Sequence, residues 1–271
     1  MLQMQHGVLG AGGVGGFLAG ALARAGREVV LLLRPESLAR YDGRLVVESA
    51  LLGDFEAAVP AAPTLARSVD VLWVTPKATQ LEAALELVPP DQLKEAVVVP
   101  LLNGLDHVAL LRDRLGADRV LPAVIYIESE RIGVGRISQK TAFANVELAP
   151  DPRASDICAE LDAAGLACGV GDTEAAVLWQ KLTVLAPIAL TTTALEAPLS
   201  AVMSDSTWRR RAEECVREVA SVAAAEGFDS DPDATIARYD QIGDLRSSMQ
   251  KDRAAGKPLE LDAIGGAVLR S

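Results

Sequence analysis

The stretch Gly10-Ala11-Gly12-Gly13-Val14-Gly15 follows a short apolar run and opens an alanine-rich segment with helical character. No other feature restricts the fold so tightly. Glycines at this spacing, after a strand and before a helix, form the turn on which βαβ units hold a dinucleotide. Gly10 permits the tight turn, Gly12 lets the backbone approach a pyrophosphate, and Gly15 lets the helix pack closely on the strand. Gly13 and Val14 complete the candidate set. The helix start then offers free N–H groups and a partial positive charge to the phosphates. The competing reading is a plain strand-to-helix connection, but a second apolar strand follows where a dinucleotide site needs one.

The rest of the N-terminal part repeats this texture. Apolar runs at 7–9, 28–33, 69–74, 96–102, 120–127 and 144–148 alternate with helical segments expected at 14–25, 78–87 and 105–115. The runs are apolar at successive positions, as in strands covered on both faces. The order predicts a parallel, doubly wound sheet. After Gly171 no convincing strand occurs. Helices are expected at 173–195, with a bend at Pro187, and at 204–227, 233–240 and 244–255, with a last one starting near Leu259. We therefore expect an α/β chain of two domains, a dinucleotide-binding Rossmann-type domain at 1–171 and an all-helical domain at 172–271. The short join implies that the two face each other across a cleft.

The second apolar run ends in Leu33-Arg34. Sites for NAD usually place an acid here for the ribose 2′-hydroxyl. Arginine can form a fork on a 2′-phosphate instead, which points to NADPH/NADP+. Glu36, two residues on, keeps the NAD reading open. Two more strand ends carry polar residues at the rim where such sheets bind ligands: Thr75-Pro76-Lys77 and Asn103-Gly104. Lys77 is also readable as a solvated loop lysine, and Asn-Gly is a common turn dipeptide.

Two residues in the helical part suggest chemistry. Lys181 lies in Trp179-Gln180-Lys181-Leu182, and Glu260 in Pro258-Leu259-Glu260-Leu261-Asp262. Hydride delivery to a ketone builds negative charge on its oxygen, and a nearby ammonium stabilises that charge and donates the proton. Burial would strip such an amine of its proton, while a neighbouring carboxylate restores its basicity. The plainer alternatives are a lysine snorkelling from a helix face and a first-turn glutamate complementing the helix dipole.

Taken together, these segments resemble the ketopantoate reductase (2-dehydropantoate 2-reductase) family over essentially the whole chain. The resemblance rests on the glycine turn with Arg34, Val74-Thr75-Pro76-Lys77, Asn103-Gly104, the Lys181 segment, Ser247-Ser248-Met249 through Asp252, and the Glu260 segment. It implies NADPH-dependent reduction of a 2-oxo acid, nominally ketopantoate to pantoate in pantothenate biosynthesis. Lys181 would be the general acid and Glu260 its organising partner. Ser248 would hold the substrate carboxylate, Lys77 and Asn103 would line the nicotinamide end, and Arg34 would clamp the 2′-phosphate. It also implies a helical domain like that of 6-phosphogluconate-type dehydrogenases, and a homodimer.

The chain departs from the family in one respect. Leu185, Ala189 and Leu245 stand where family members usually carry asparagines. In a helix Lys181, Leu185 and Ala189 share a face, so the wall beyond the lysine is apolar. That wall points to a more apolar 2-oxo acid, unless Thr192 supplies the missing polarity. Competing readings are a related 3-hydroxy acid or sugar-acid dehydrogenase and a non-catalytic NADP-binding redox sensor.

The net charge of −11 argues against nucleic-acid or anionic-membrane partners and leaves a small-molecule substrate. No metal-type spacing links Cys158, Cys168, Cys215, His6 and His107. Three reduced thiols, and with them a cytoplasmic location, are expected. The chain's longest apolar run, 184–190, falls short of a membrane span.

Overall fold

The computed structural model describes residues 4–271 and divides into two units, residues 4–102 with 107–174, and residues 103–106 with 175–271. Asn103–Asp106 therefore groups with the helices, although in sequence it lies within the first domain. The first unit holds the strands, in chain order β1 (Gln5–Leu9), β2 (Glu28–Leu32), β3 (Arg44–Ser49), β4 (Phe55–Ala58), β5 (Ala61–Ala62), β6 (Val71–Val74), β7 (Val97–Pro100), β8 (Ala123–Tyr126), β9 (Ser129–Gly133), β10 (Arg136–Gln139), β11 (Asn145–Leu148) and β12 (Ala167–Val170). Helices α1 (Gly13–Arg24), α2 (Pro35–Leu38), α3 (Leu81–Leu85), α4 (Pro90–Leu93), α5 (Asp106–Leu115) and α6 (Ala154–Ala163) connect them.

The main sheet is parallel, in the order β5-β2-β1-β6-β7. Every residue of β6 and β7 is buried, as runs without polar alternation require of strands covered on both faces. The expected doubly wound sheet is present. Two smaller sheets, β4-β3-β10-β9 and β12-β11-β8, accompany it. Most of their strands were not expected. β3 alternates buried and open positions, and β9 is largely open, so neither makes a continuous apolar run.

Within β1, His6 is buried and accepts the Trp73 indole N–H at Nδ1 (3.2 Å). Its Nε2 therefore carries the proton and meets Glu160 Oε2 at 3.3 Å. Burial holds the imidazole pKa below the ordinary histidine value, against the pull of Glu160.

The cysteine expectation is corrected. Cys158 on α6 and Cys168 on β12 form a disulfide with Cα atoms 5.0 Å apart, leaving Cys215 as the free thiol. The chain reverses at Gly165 (φ +85°), which returns the strand alongside the helix. Spacing alone does not encode that reversal.

The second unit is helical: α7 (Glu174–Leu195), α8 (Leu199–Ser204), α9 (Ser206–Ala225), α10 (Pro232–Ile242), α11 (Ser248–Ala254), a π-helical turn (Asp262–Gly266) and α12 (Ala267–Arg270). The helix expected over 204–227 is α9, two residues shorter at each end, and α8 before it was not expected. Asp205 adopts an extended conformation and its carboxylate accepts the N–H groups of Thr207 and Trp208, starting α9 afresh. Pro187 sits inside a continuous α7.

At 22 residues α7 is long and apolar enough to cross a membrane, and 61% of its most apolar window is buried within the protein. It is the core helix of its unit. Trp179, Leu182, Ala186 and Ala189 pack with Val219 and Ala223 of α9, Met249 of α11 and Ile264. Tyr239 donates from its hydroxyl to the Val184 carbonyl (2.7 Å), tying α10 to the same helix.

Candidate active site

In the first unit the glycine turn closes over β1 as its spacing requires. Gly10 has φ +92°, a region that disfavours side chains. A β carbon at Gly15 would lie 2.0 Å from the Gly10 carbonyl oxygen and 2.2 Å from Thr75 Oγ1. Thr75 donates to the carbonyls of Leu9 (2.8 Å) and Gly10 (2.7 Å) and so braces the turn from β6.

Gly12 differs, because a β carbon there would meet nothing within 4 Å. It caps α1 without a side-chain hydrogen bond, so the first N–H groups of α1 lack an internal partner. An open backbone surface at a helix N-terminus fits a dinucleotide phosphate. Gly13 is glycine for another reason. Its β carbon would fall 2.1 Å from the Ser129 carbonyl oxygen, and Ser129 Oγ donates to the Gly13 carbonyl at 2.9 Å. β9 therefore presses on the turn from the second sheet. Thr75 as a brace and Ser129 as a neighbour are functional contacts that sequence reasoning missed, being 65 and 116 residues away from their partners.

Arg34 is exposed at the end of β2, where it caps α2, with its guanidinium 3.4 Å from Gln80 Oε1. Glu36 lies in the first turn of α2. Lys77 follows β6, at the start of the short turn Ala78–Gln80. Val14 opens α1.

In the helical unit three expected site residues come together. Lys181 projects from α7 and donates through Nζ to Asn103 Oδ1 at 2.9 Å. Glu260 is buried, at 4% exposure, directly before the last helical turn, and its carbonyl accepts the Ile264 N–H. Desolvation pushes the Lys181 amine down to about 8, and the Glu260 carboxylate works against that fall. A lysine poised there is half protonated near pH 8 and exchanges a proton readily. A surface lysine or a solvated dipole-capping glutamate would show neither burial nor coupling.

Ser248 is exposed as the first residue of α11. Its neighbour Ser247 is buried, caps α11 by accepting the Gln250 N–H, and shares a 2.8 Å hydrogen bond with Thr192. Thr192 is fully buried and also donates to the Ile188 carbonyl (2.6 Å), so its hydroxyl is committed within the core. It does not supply the polarity that Leu185 withholds. Leu185 itself is only partly buried, one turn beyond Lys181, whereas Ala189 is a core residue. Leu245 is 39% exposed.

A glycine turn of the dinucleotide-binding kind in one unit and a half-buried lysine with a buried carboxylate in the other fit a dehydrogenase of the two-domain kind. Residues 6–152 match the family described as ketopantoate reductase PanE/ApbA, and residues 175–271 match that family's C-terminal part. The chain belongs to the ketopantoate reductase family and is an NADP-dependent oxidoreductase. A 2-dehydropantoate 2-reductase of Caulobacter vibrioides is 31% identical over 97% of this chain and 90% of its own length. An uncharacterized oxidoreductase, YkpB of Bacillus subtilis, is 27% identical over 97% of this chain and 90% of its own length. Among solved structures, a PanE/ApbA family ketopantoate reductase from Ralstonia eutropha superposes with a TM-score of 0.89 at 27% identity, covering 98% of this chain and 91% of that one. D-mandelate dehydrogenase in a ternary complex with NADH and anilino(oxo)acetate shares the fold at 23% identity and a TM-score of 0.86, covering 98% of this chain and 91% of its own.

Proposed function

We propose that this protein reduces a 2-oxo acid to the 2-hydroxy acid with NADPH, nominally 2-dehydropantoate to pantoate in pantothenate biosynthesis. The observation that carries the reading is the Lys181 amine, desolvated yet held by Asn103 and the Glu260 carboxylate. The coenzyme, when bound, supplies a hydride. The chain's own residues do the rest. Lys181 donates its ammonium proton to the carbonyl oxygen as negative charge develops there, which lowers the barrier at that stage only. Asn103 and Glu260 hold the amine in place. Ser248, open at the start of α11, is the proposed contact for the substrate carboxylate. Gly10, Gly12, Gly13, Val14 and Gly15 form the cofactor turn, Arg34 selects the 2′-phosphate, and Lys77 lines the nicotinamide end. The family resemblance supports a homodimer, while the Cys158–Cys168 bridge removes the reduced-thiol ground for a cytoplasmic location.

A second reading concerns the substrate. Leu185 puts a partly open methyl surface one turn from the proton donor, and Thr192 has no hydroxyl to spare. An apolar wall discriminates weakly among apolar side chains and gives nothing to a hydroxylated one. This favours a 2-oxo acid with an apolar side chain. Initial rates with NADPH and with NADH, on 2-dehydropantoate and 2-oxoisovalerate, test both readings. Lys181→Ala is expected to lower turnover by about a thousandfold. A strong preference for 2-dehydropantoate removes the apolar reading. Tight NADPH binding with no turnover on any 2-oxo acid removes both and leaves a redox sensor.

A further inference from the structure

We propose that Gly104 is a positioning residue: its close packing against the Ala263 backbone fixes the depth at which Asn103 and Glu260 enclose the Lys181 amine. The inference rests on Lys181 being the proton donor of the function proposed above.

Three contacts stitch residues 103–106 to residues 262–270. Gly104 has φ +88°, and a β carbon there would lie 2.0 Å from the Ala263 carbonyl oxygen and 2.9 Å from its carbon. Backbone meets backbone at that point, so no flexible side chain can give way. Leu105 packs on the core cluster that contains Ile264. Arg270 bridges Asp106 (2.6 Å) and Asp262 (2.8 Å), closing the far end of the seam. The near end carries the chemistry. Asn103, which precedes Gly104, accepts the Lys181 ammonium, and Glu260 lies three residues before Ala263.

The segment that receives Gly104 is a π-helical turn, Asp262–Gly266. Such turns are uncommon and cluster at functional sites, because the extra residue widens the backbone locally. Here the widened turn presents the Ala263 carbonyl to Gly104. Any side chain at position 104 must push residues 103–106 away from that turn. Water then reaches the amine. Since burial is the larger influence on Lys181 and the Glu260 carboxylate the opposing one, hydration moves its titration upward.

The test needs a readout that general loss of packing does not move. Lysine labelled with ¹³C at Cε gives a small set of resonances, because the chain has six lysines, and Lys181→Met assigns the one that matters. In the wild type it is expected to titrate at about 8. In Gly104→Ala it is expected to move up by roughly one unit toward the ordinary lysine value, with kcat reduced roughly tenfold and its alkaline limb displaced in the same direction. Gly227→Ala is the matched control, since Gly227 has the same φ of +88° but a β carbon there would meet nothing within 4 Å. It carries the backbone strain without the collision and leaves the titration at about 8. Arg270→Gln loosens the same seam with no steric clash and is expected to give a smaller upward shift.

A Lys181 resonance unmoved in both Gly104→Ala and Arg270→Gln overturns the proposal, as does an equal shift in Gly227→Ala. Should Gly104→Ala not fold, Arg270→Gln against Gly227→Ala decides alone. A wild type with no turnover on any 2-oxo acid would defeat the functional reading, while the titration would still report on Gly104.

Discussion

Replacing Glu260 by glutamine keeps the side-chain volume and removes the charge that opposes desolvation of Lys181. The wild-type amine sits near 8 because burial lowers it from 10.5 and Glu260 pulls it partway back. An opposite charge in the immediate surroundings is worth about one to three pKa units. Taking roughly one unit, the amine in Glu260→Gln titrates near 7 or below. Only the protonated amine can donate, so the rate of reduction must fall as pH rises through this value. At pH 8 the donor fraction drops from about a half to roughly a tenth, a fivefold loss that is absent on the acid plateau. The assay is the initial rate of NADPH consumption with saturating 2-oxo acid, from roughly pH 6 to 10, which brackets the ordinary lysine value.

Stability offers an independent check with its own sign. A lysine whose folded pKa lies below its unfolded one binds fewer protons when folded. Its penalty is therefore complete below about pH 8 and fades as pH rises to 10.5. About 2.5 units correspond to roughly 3 kcal/mol, so resistance to denaturant should climb over that window and flatten in Lys181→Met. An alkaline limb that stays in place in Glu260→Gln would refute the electrostatic coupling between the two residues.

Two further outcomes follow from packing. Gly12→Ala should leave the melting temperature unchanged within about 0.5 kcal/mol of stability yet weaken NADPH binding, because open space surrounds that position. Gly13→Ala should destabilise by about 1–3 kcal/mol, because its methyl collides with the Ser129 backbone; thermal melts with and without NADPH separate the two, and equal behaviour would contradict this division of roles. Reducing the Cys158–Cys168 bridge, which spans a sequence separation of 10, should cost roughly 3 kcal/mol by loop-closure entropy and leave kcat unchanged. Two extra free thiols counted in the native, unreduced protein would show that the bridge does not form.

The parts of the fold that were legible are those in which chemistry and periodicity agree. β1, β2, β6 and β7 are apolar at successive positions because helices cover both faces, and the glycine turn has a steric reason at Gly10 and Gly15. β3, β4, β9 and β10 escaped because each has open positions, so the apolar signal is diluted. The short helix α8 escaped because six residues carry too little periodicity, whereas the aspartate two residues before Thr207 is a cap signal that marks the start of α9. In the site, Lys181 and Glu260 stood out by their contexts. The hydrogen bond from Lys181 to Asn103 spans 78 residues and belongs to the fold, not to any local pattern. The cysteine pair failed for a different, local reason: the two lie only 10 residues apart, and it is the turn at Gly165 that brings helix and strand together.

The contrast between Leu185 and Ala189 limits how this enzyme's selectivity can be rebuilt. Position 185 is partly open, so an asparagine there can find water or ligand for its amide. Position 189 is 1% exposed, among Trp179, Leu182 and Met249, where an added amide would be both too large and unsolvated. A change at 189 made first is thus a folding lesion, tolerable only after neighbours have shrunk. If the proposed apolar wall is to be made to read a hydroxyl, in the laboratory or over generations, position 185 has to change before 189 is touched.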